Sequence, residues 1–143
     1  MTKRVLIIDD DPDDIETIRR FLAKETTDVR GVTDSMQAET AFQEFGPDLV
    51  LLDLHMPEPD GVEILRRLGP VRSRLGFLPV IVLTGDHGPR AREIALVLGA
   101  NDFLTKPLDG IEVLLRVRNM LRTRQFFVEL ANAYEALERR SGL

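Results

Sequence analysis

Residues 4–14 read R-V-L-I-I-D-D-D-P-D-D. Four consecutive apolar side chains, Val5 to Ile8, suit a strand in a parallel sheet covered on both faces. Asp11-Pro12 then reads as a helix N-cap followed by proline at the first helical position. Ile15, Ile18 and Leu22 recur at helical spacing beyond it. A buried strand, an acidic strand end and a helix start make up a βα unit, and the unit recurs along the chain. Residues 48–52 (D-L-V-L-L) and 79–83 (P-V-I-V-L) are further apolar strands, and 26–30 and 102–105 are weaker or shorter ones.

Helical patterns alternate with these strands. One carries Ala38, Ala41 and Phe42 after a cap at Asp34 or Ser35 and stops at Gly46-Pro47. A short one carries Val62, Leu65 and Leu68 after a loop over 56–61, and residues 69–76 (G-P-V-R-S-R-L-G) then read as a basic connector. Another starts at Pro89, carries Ile94, Ala95 and Leu98, and ends at Gly99. The last begins at Asp109 or Gly110. Strands separated by helices cannot pair as hairpins, so five βα units predict a doubly wound (βα)5 α/β domain with a parallel sheet. The domain spans 1–122, and a helical extension occupies 123–143.

Composition narrows the function classes. The 143 residues suffice for one core, with 43% apolar and 30% charged side chains. The absence of cysteine excludes a disulfide scaffold, a thiol nucleophile and thiolate zinc. Two histidines, His55 and His87, argue against a multi-histidine metal site, and the absence of tryptophan weakens a base-stacking surface. The longest apolar run, residues 94–98, is far short of the roughly 20 residues a bilayer needs, and no signal-peptide core is present. The expected location is cytoplasmic. The net charge of −5 is unevenly spread: 13 basic and 21 acidic residues in 1–115 give −8, and six basic and three acidic in 116–143 give +3.

In a doubly wound sheet, ligands bind beyond the carboxyl ends of the strands. Those ends carry Asp9 and Asp10, Asp53, Thr84 and Lys106. Three carboxylates on one rim repel one another and raise a pKa. A hard divalent cation, Mg2+ (or Mn2+), relieves that repulsion and is often held by carboxylates plus a phosphate. A lysine and a hydroxyl beside it suit the remaining oxygens of a transferring phosphoryl group, and a carboxylate can itself be the nucleophile. The residue chemistry points to cation-dependent phosphorylation of an aspartate.

Four segments in register resemble the receiver domain of two-component response regulators: V-L-I-I-D-D-D-P at 5–12, D-L-V-L-L-D-L-H-M-P at 48–57 with D-G at 60–61, P-V-I-V-L-T-G at 79–85, and L-G-A-N-D-F-L-T-K-P at 98–107. The resemblance covers 4 to about 122. It implies the flavodoxin-like, CheY-like strand order 2-1-3-4-5. It also implies roles: Asp53 as phosphoacceptor, Asp9 and Asp10 as the Mg2+-holding pair, and the backbone carbonyl of His55 as a further metal ligand. Thr84 becomes the switch hydroxyl, Phe103 the aromatic switch, Lys106 the phosphate-pairing lysine, and Lys106-Pro107 a cis peptide. His55 and Asp86 fall where the family flanks the entrance for attacking water. The implied partners are a histidine kinase or phosphotransfer protein and a downstream output domain or protein. The domain is then a switch rather than an enzyme, with phosphorylation shifting a two-state population and altering the face of helix four, strand five and helix five.

Plainer roles stand beside these. Asp11 suits a helix cap, and Asp13 and Asp14 suit the first-turn end of the helix dipole as surface acids. Phe103 also suits a core position, and His55 and His87 read as solvent-facing loop residues. Two other function classes compete. A phosphorylation-independent binding module would not need the complete acidic set with Thr84 and Lys106. An aspartyl-phosphate hydrolase would want an acid two residues after its nucleophile, where His55 stands.

Met120, Phe127 and Tyr134 recur every seven residues, with Leu130 and Leu137 three beyond the last two. This a/d-like stripe leaves two arrangements open: a helix folded back on its own domain, or a parallel coil forming a homodimer and leading to an output module. The homodimer has a second candidate surface in the helix four, strand five and helix five face. Arg116, Arg118, Arg122 and Arg124 flank the stripe's start, but no helix-turn-helix or winged-helix pattern follows, which argues against direct DNA binding. The chain suits either a stand-alone regulator with a helical tail or a receiver cut from a larger regulator, and the open-ended helix favours the second.

Overall fold

The structure, a computed structural model, describes residues 2–85 and 89–142. Five parallel strands, β1 (Lys3–Ile8), β2 (Thr27–Val32), β3 (Leu49–Asp53), β4 (Val80–Thr84) and β5 (Asp102–Thr105), form one sheet in the order β2-β1-β3-β4-β5. This is the expected doubly wound flavodoxin-like order. Helices α1 (Pro12–Phe21), α2 (Ala38–Phe45), α3 (Gly61–Arg74), α4 (Pro89–Val97) and α5 (Gly110–Arg140) alternate with the strands.

Strand side chains alternate between the faces, and that alternation creates two cores. Val5, Ile7, Leu49, Leu51, Ile81 and Leu83 face α1 and α5, meeting Ile15, Ile18, Val113 and Val117. Leu6, Ile8, Val50, Leu52, Val80 and Val82 face α2, α3 and α4, meeting Phe42, Phe45, Ile64, Leu65, Leu68 and Ala95. The central strands are apolar throughout because both their faces are covered.

Two caps fall where expected: Asp11 is the N-cap of α1 and accepts from Asp13 N (2.9 Å), and Asp109 caps α5 through Ile111 N (3.0 Å). Asp60, read from the sequence only as part of a loop, caps α3 through Glu63 N (2.9 Å). Asp34 caps a 3₁₀ turn over Ser35–Gln37 that leads into α2. The basic connector is a correction: residues up to Arg74 continue α3, with Pro70 inside the helix. Pro70 is exposed, so water can satisfy the carbonyl four residues earlier that proline cannot serve. Arg72 anchors this last turn on Leu78 O (3.0 Å), Gly99 O (2.9 Å) and Asn101 Oδ1 (2.9 Å).

At the other end of the chain, α5 is one helix of 31 residues, about 46 Å long at 1.5 Å per residue. It does not double back. Its middle leans on the amino end of the sheet: Arg124 donates to Asp48 Oδ1 (3.1 Å) and Phe77 O (2.7 Å), Lys3 bonds Gln125, and the Phe127 ring stacks on Phe77 at 4.9 Å. Beyond it, Leu130, Tyr134 and Leu137 are exposed. Among the described residues, no helix is long and apolar enough to cross a membrane.

Candidate functional site

Register brings the polar strand ends together. Ile8 pairs with Leu52, Asp53 with Leu83, and Thr84 with Thr105. The next residues along β1 and β5, Asp9 and Lys106, therefore share a rim with Asp53 and Thr84. The bonds Asp9 N to Val32 O (3.0 Å), Leu54 N to Leu83 O (3.0 Å) and Lys106 N to Thr84 O (2.8 Å) extend the ladder to that rim. The rim lies where the crossover helices change face beside β1 and β3, the switch point at which open α/β sheets bind ligands. Gly61 closes it from below, since a Cβ there would overlap the Asp53 carbonyl oxygen and lie 2.5 Å from Leu54 Cα. Only glycine lets α3 start this close to the end of β3.

One carboxylate oxygen from each of Asp9, Asp10 and Asp53 lies within 4.8 Å of the others. Asp9 and Asp53 are buried, Asp10 is exposed. Backbone N–H groups hold the buried pair: Asp11 N donates to Asp9 Oδ1 (2.9 Å) and His55 N to Asp53 Oδ1 (3.0 Å). Lys106 Nζ donates to Asp14 Oδ2 (2.7 Å), Asp9 Oδ2 (2.9 Å) and, at longer range, Asp53 Oδ2 (3.4 Å).

Burial is the main force on the carboxylate pKa values. It pushes Asp53 up to about 6, with Asp9 repulsion adding to it and the His55 N–H and Lys106 opposing it. Burial likewise raises Asp9, against the Asp11 N–H and Lys106. For Lys106, burial favours the neutral amine, but the bonds to Asp14 and Asp9 and the charge of Asp53 outweigh it and hold the ammonium. Two buried acids beside a third are strained electrostatically, and hard oxygen donors in this number fit a divalent cation.

The structure therefore brings Asp9, Asp10, Asp53, Thr84 and Lys106 to one rim. Thr84 is buried there. Phe103 is half-buried against the α2–α3–α4 core, and Lys106-Pro107 is cis as the resemblance implied. Asp86 and His87 lie outside the described residues.

Three features differ from the sequence reading or were absent from it. The His55 ring is exposed on its loop as the sequence implied, and its Nε2 is in addition hydrogen-bonded to Thr84 Oγ1 (3.2 Å). Asp14 is half-buried and is the nearest partner of Lys106, not a surface acid. A periodicity signal for it existed: Asp14 stands four residues before the buried Ile18, on the sheet-facing side of α1. Arg92 lies over the Phe103 ring at 4.3 Å and reaches Thr105 Oγ1 (3.3 Å). Its position in α4 carried no such signal, since the pairing is made by tertiary packing.

The doubly wound sheet and the acidic rim at its strand ends define an α/β class with a candidate cation site at the switch point. Residues 5–118 match the family described as response regulator receiver domain, and the chain belongs to that family. Among curated relatives it is 37% identical over 119 residues to the transcriptional regulatory protein TrcR of Mycobacterium tuberculosis, covering 83% of this chain and 45% of that protein. It is also 37% identical over 125 residues to the DNA-binding response regulator MtrA of Mycolicibacterium smegmatis, covering 87% and 53%. The chain spans about half the length of the curated relatives it matches. Among solved structures, the BeF3-activated receiver domain of Klebsiella pneumoniae RstA superposes with a TM-score of 0.75 at 29% identity, covering 84% of this chain and 99% of that one. NtrX of Brucella abortus superposes with a TM-score of 0.82 at 25% identity, covering 93% and 30%.

Proposed function

We propose that this receiver accepts a phosphoryl group on Asp53 from a histidine kinase or a phosphotransfer protein. An Asp53 carboxylate oxygen attacks phosphorus, the bond from phosphorus to the donor breaks, and an aspartyl phosphate forms. The observation that carries the reading is the meeting of Asp53 with two further carboxylates and the Lys106 ammonium at one strand rim. Asp9, Asp10, Asp53 and the carbonyl of His55 would hold Mg2+ or Mn2+, which neutralises phosphoryl charge when bound. Lys106 pairs with the transferred group, and the Thr84 hydroxyl turns toward it. Thr84 leaves its bond to His55 in doing so, and Phe103 repacks beneath Arg92. The α4–β5–α5 face, with Val97 and Ile111 exposed, then changes its affinity for partners.

The domain division follows the same reading, with the receiver at 1–122 and the extension at 123–143. The extension carries the signal to an output domain or protein, its exposed stripe of Leu130, Tyr134 and Leu137 packing in parallel on a second copy of the chain. Incubation with Mg2+ and acetyl phosphate tests the central claim. An acid-stable, base-labile adduct is expected on the wild type and is lost in Asp53→Asn. An adduct that persists in Asp53→Asn, or no adduct with any small donor, refutes it.

A further inference from the structure

We infer that Asp14 is a positioning residue that withholds Lys106 from the phosphoryl site in the resting receiver. The inference rests on the assignment of Lys106 as the phosphate-pairing group. An ammonium has three N–H donors, and Lys106 spends them on three carboxylates. The shortest bond goes to Asp14 (2.7 Å) and the longest to Asp53 (3.4 Å). Asp14 is also the most exposed of the three, with 30% of its side chain accessible against 0% for Asp9 and 5% for Asp53.

That ordering has a chemical consequence. A phosphoryl group on Asp53 needs a Lys106 donor, and the group must take it from one of the present acceptors. Releasing buried Asp9 would leave Oδ2 of a desolvated carboxylate without its lysine donor, with only Oδ1 held by the Asp11 N–H. Asp14 can be rehydrated when it lets go, so it is the partner that yields. Asp14 therefore acts as a competing acceptor, parked on the first turn of α1, which biases Lys106 toward the resting position. Lys106 is the group that bonds both Asp14 and Asp53, and Asp14 acts through it. Asp13, one residue earlier, is exposed and makes no bond to Lys106 among the described contacts, which makes it a control for bulk charge.

The test is a double-mutant cycle on beryllofluoride binding at saturating Mg2+, read by fluorine NMR, in wild type, Asp14→Asn, Lys106→Met and the double variant. Asp14→Asn should tighten binding by about fivefold, the scale of a partly exposed ion pair. The gain should vanish in the Lys106→Met background. Asp14→Glu should stay near wild type, and Asp13→Asn should give a much smaller change. In nitrogen-labelled lysine spectra, the Lys106 ammonium should shift in Asp14→Asn before any ligand is added. An equal gain with and without Lys106 would mean simple charge repulsion and overturn the proposal, as would no gain at all where the wild type binds. A wild type that binds no beryllofluoride would overturn the phosphoacceptor assignment and this inference with it.

Discussion

Asp53→Asn should stabilise the metal-free protein, and the gain should depend on pH with a defined sign. Asp53 is buried, and burial pushes its pKa up to about 6 from the ordinary aspartate value of 3.8. Between those values the folded state holds a proton that the unfolded state has released. Stability therefore falls as pH rises through 6. The difference of roughly two pKa units corresponds to about 3 kcal/mol when fully developed, at 1.36 kcal/mol per unit. Asparagine mimics the neutral acid and escapes this loss. Relative to the offset at pH 4, the variant should gain about 3 kcal/mol by pH 8, with most of the change between pH 4 and 7. For a domain of this size that is roughly 8–12 °C in Tm. Urea titrations of both proteins in EDTA, at closely spaced pH values, measure it directly. A gap that does not change with pH, or an asparagine variant that grows relatively weaker at pH 8, would refute the reasoning. Either result would mean that the Lys106 ammonium and the His55 N–H outweigh the burial of the charge.

The cation should act in the opposite direction to that repulsion. Mg2+ at one hundred times its Kd should add about 2.7 kcal/mol to wild-type stability at pH 8, and Asp10→Asn, at an exposed position, should lose most of that gain without changing metal-free stability, as calorimetric melts will show. Gly61→Ala should cost about 2–3 kcal/mol by overpacking the end of β3, seen as a lower urea midpoint, with weakened Mg2+ binding because Asp53 shifts. Phe77→Ala should remove a ring pair worth about 1 kcal/mol and speed amide exchange in residues 122–130 while leaving 110–117 protected. Arg92→Ala should cost about 0.5–1 kcal/mol of cation–π stabilisation, read by denaturation, and broaden the Phe103 ring signals in NMR.

Much of this fold is legible in the chain because parallel strands buried on both faces must be apolar. Val5–Ile8, Leu49–Leu52 and Val80–Leu83 announce themselves that way, and the first polar residue after each marks the rim. Asp9, Asp53 and Thr84 stand out for that reason, and Lys106 follows the short β5 in the same manner. Aspartates at 11 and 109 mark helix starts, because a short acceptor side chain before a helical run satisfies its free N–H groups.

Other features required the folded chain. Pro70 and the flanking glycines look like a break, yet α3 runs through them because Arg72 finds three oxygen acceptors from distant segments and the proline faces water. Phe77 and Phe127 meet only because α5 runs past the amino end of the sheet. His55 reaches Thr84, and Arg92 covers Phe103, across strands and helices that no local pattern connects. Asp14 is the sharpest case. Local rules place it at a helix start, where an acid needs no further reason, and its spacing from Ile18 says only which way it faces. What occupies that direction is Lys106, 92 residues away. Local hydrophobicity and capping determine where elements begin and which faces they bury. Which charges become neighbours depends on strand order and register, so the partnership of Asp14 with Lys106 belongs to the tertiary structure alone.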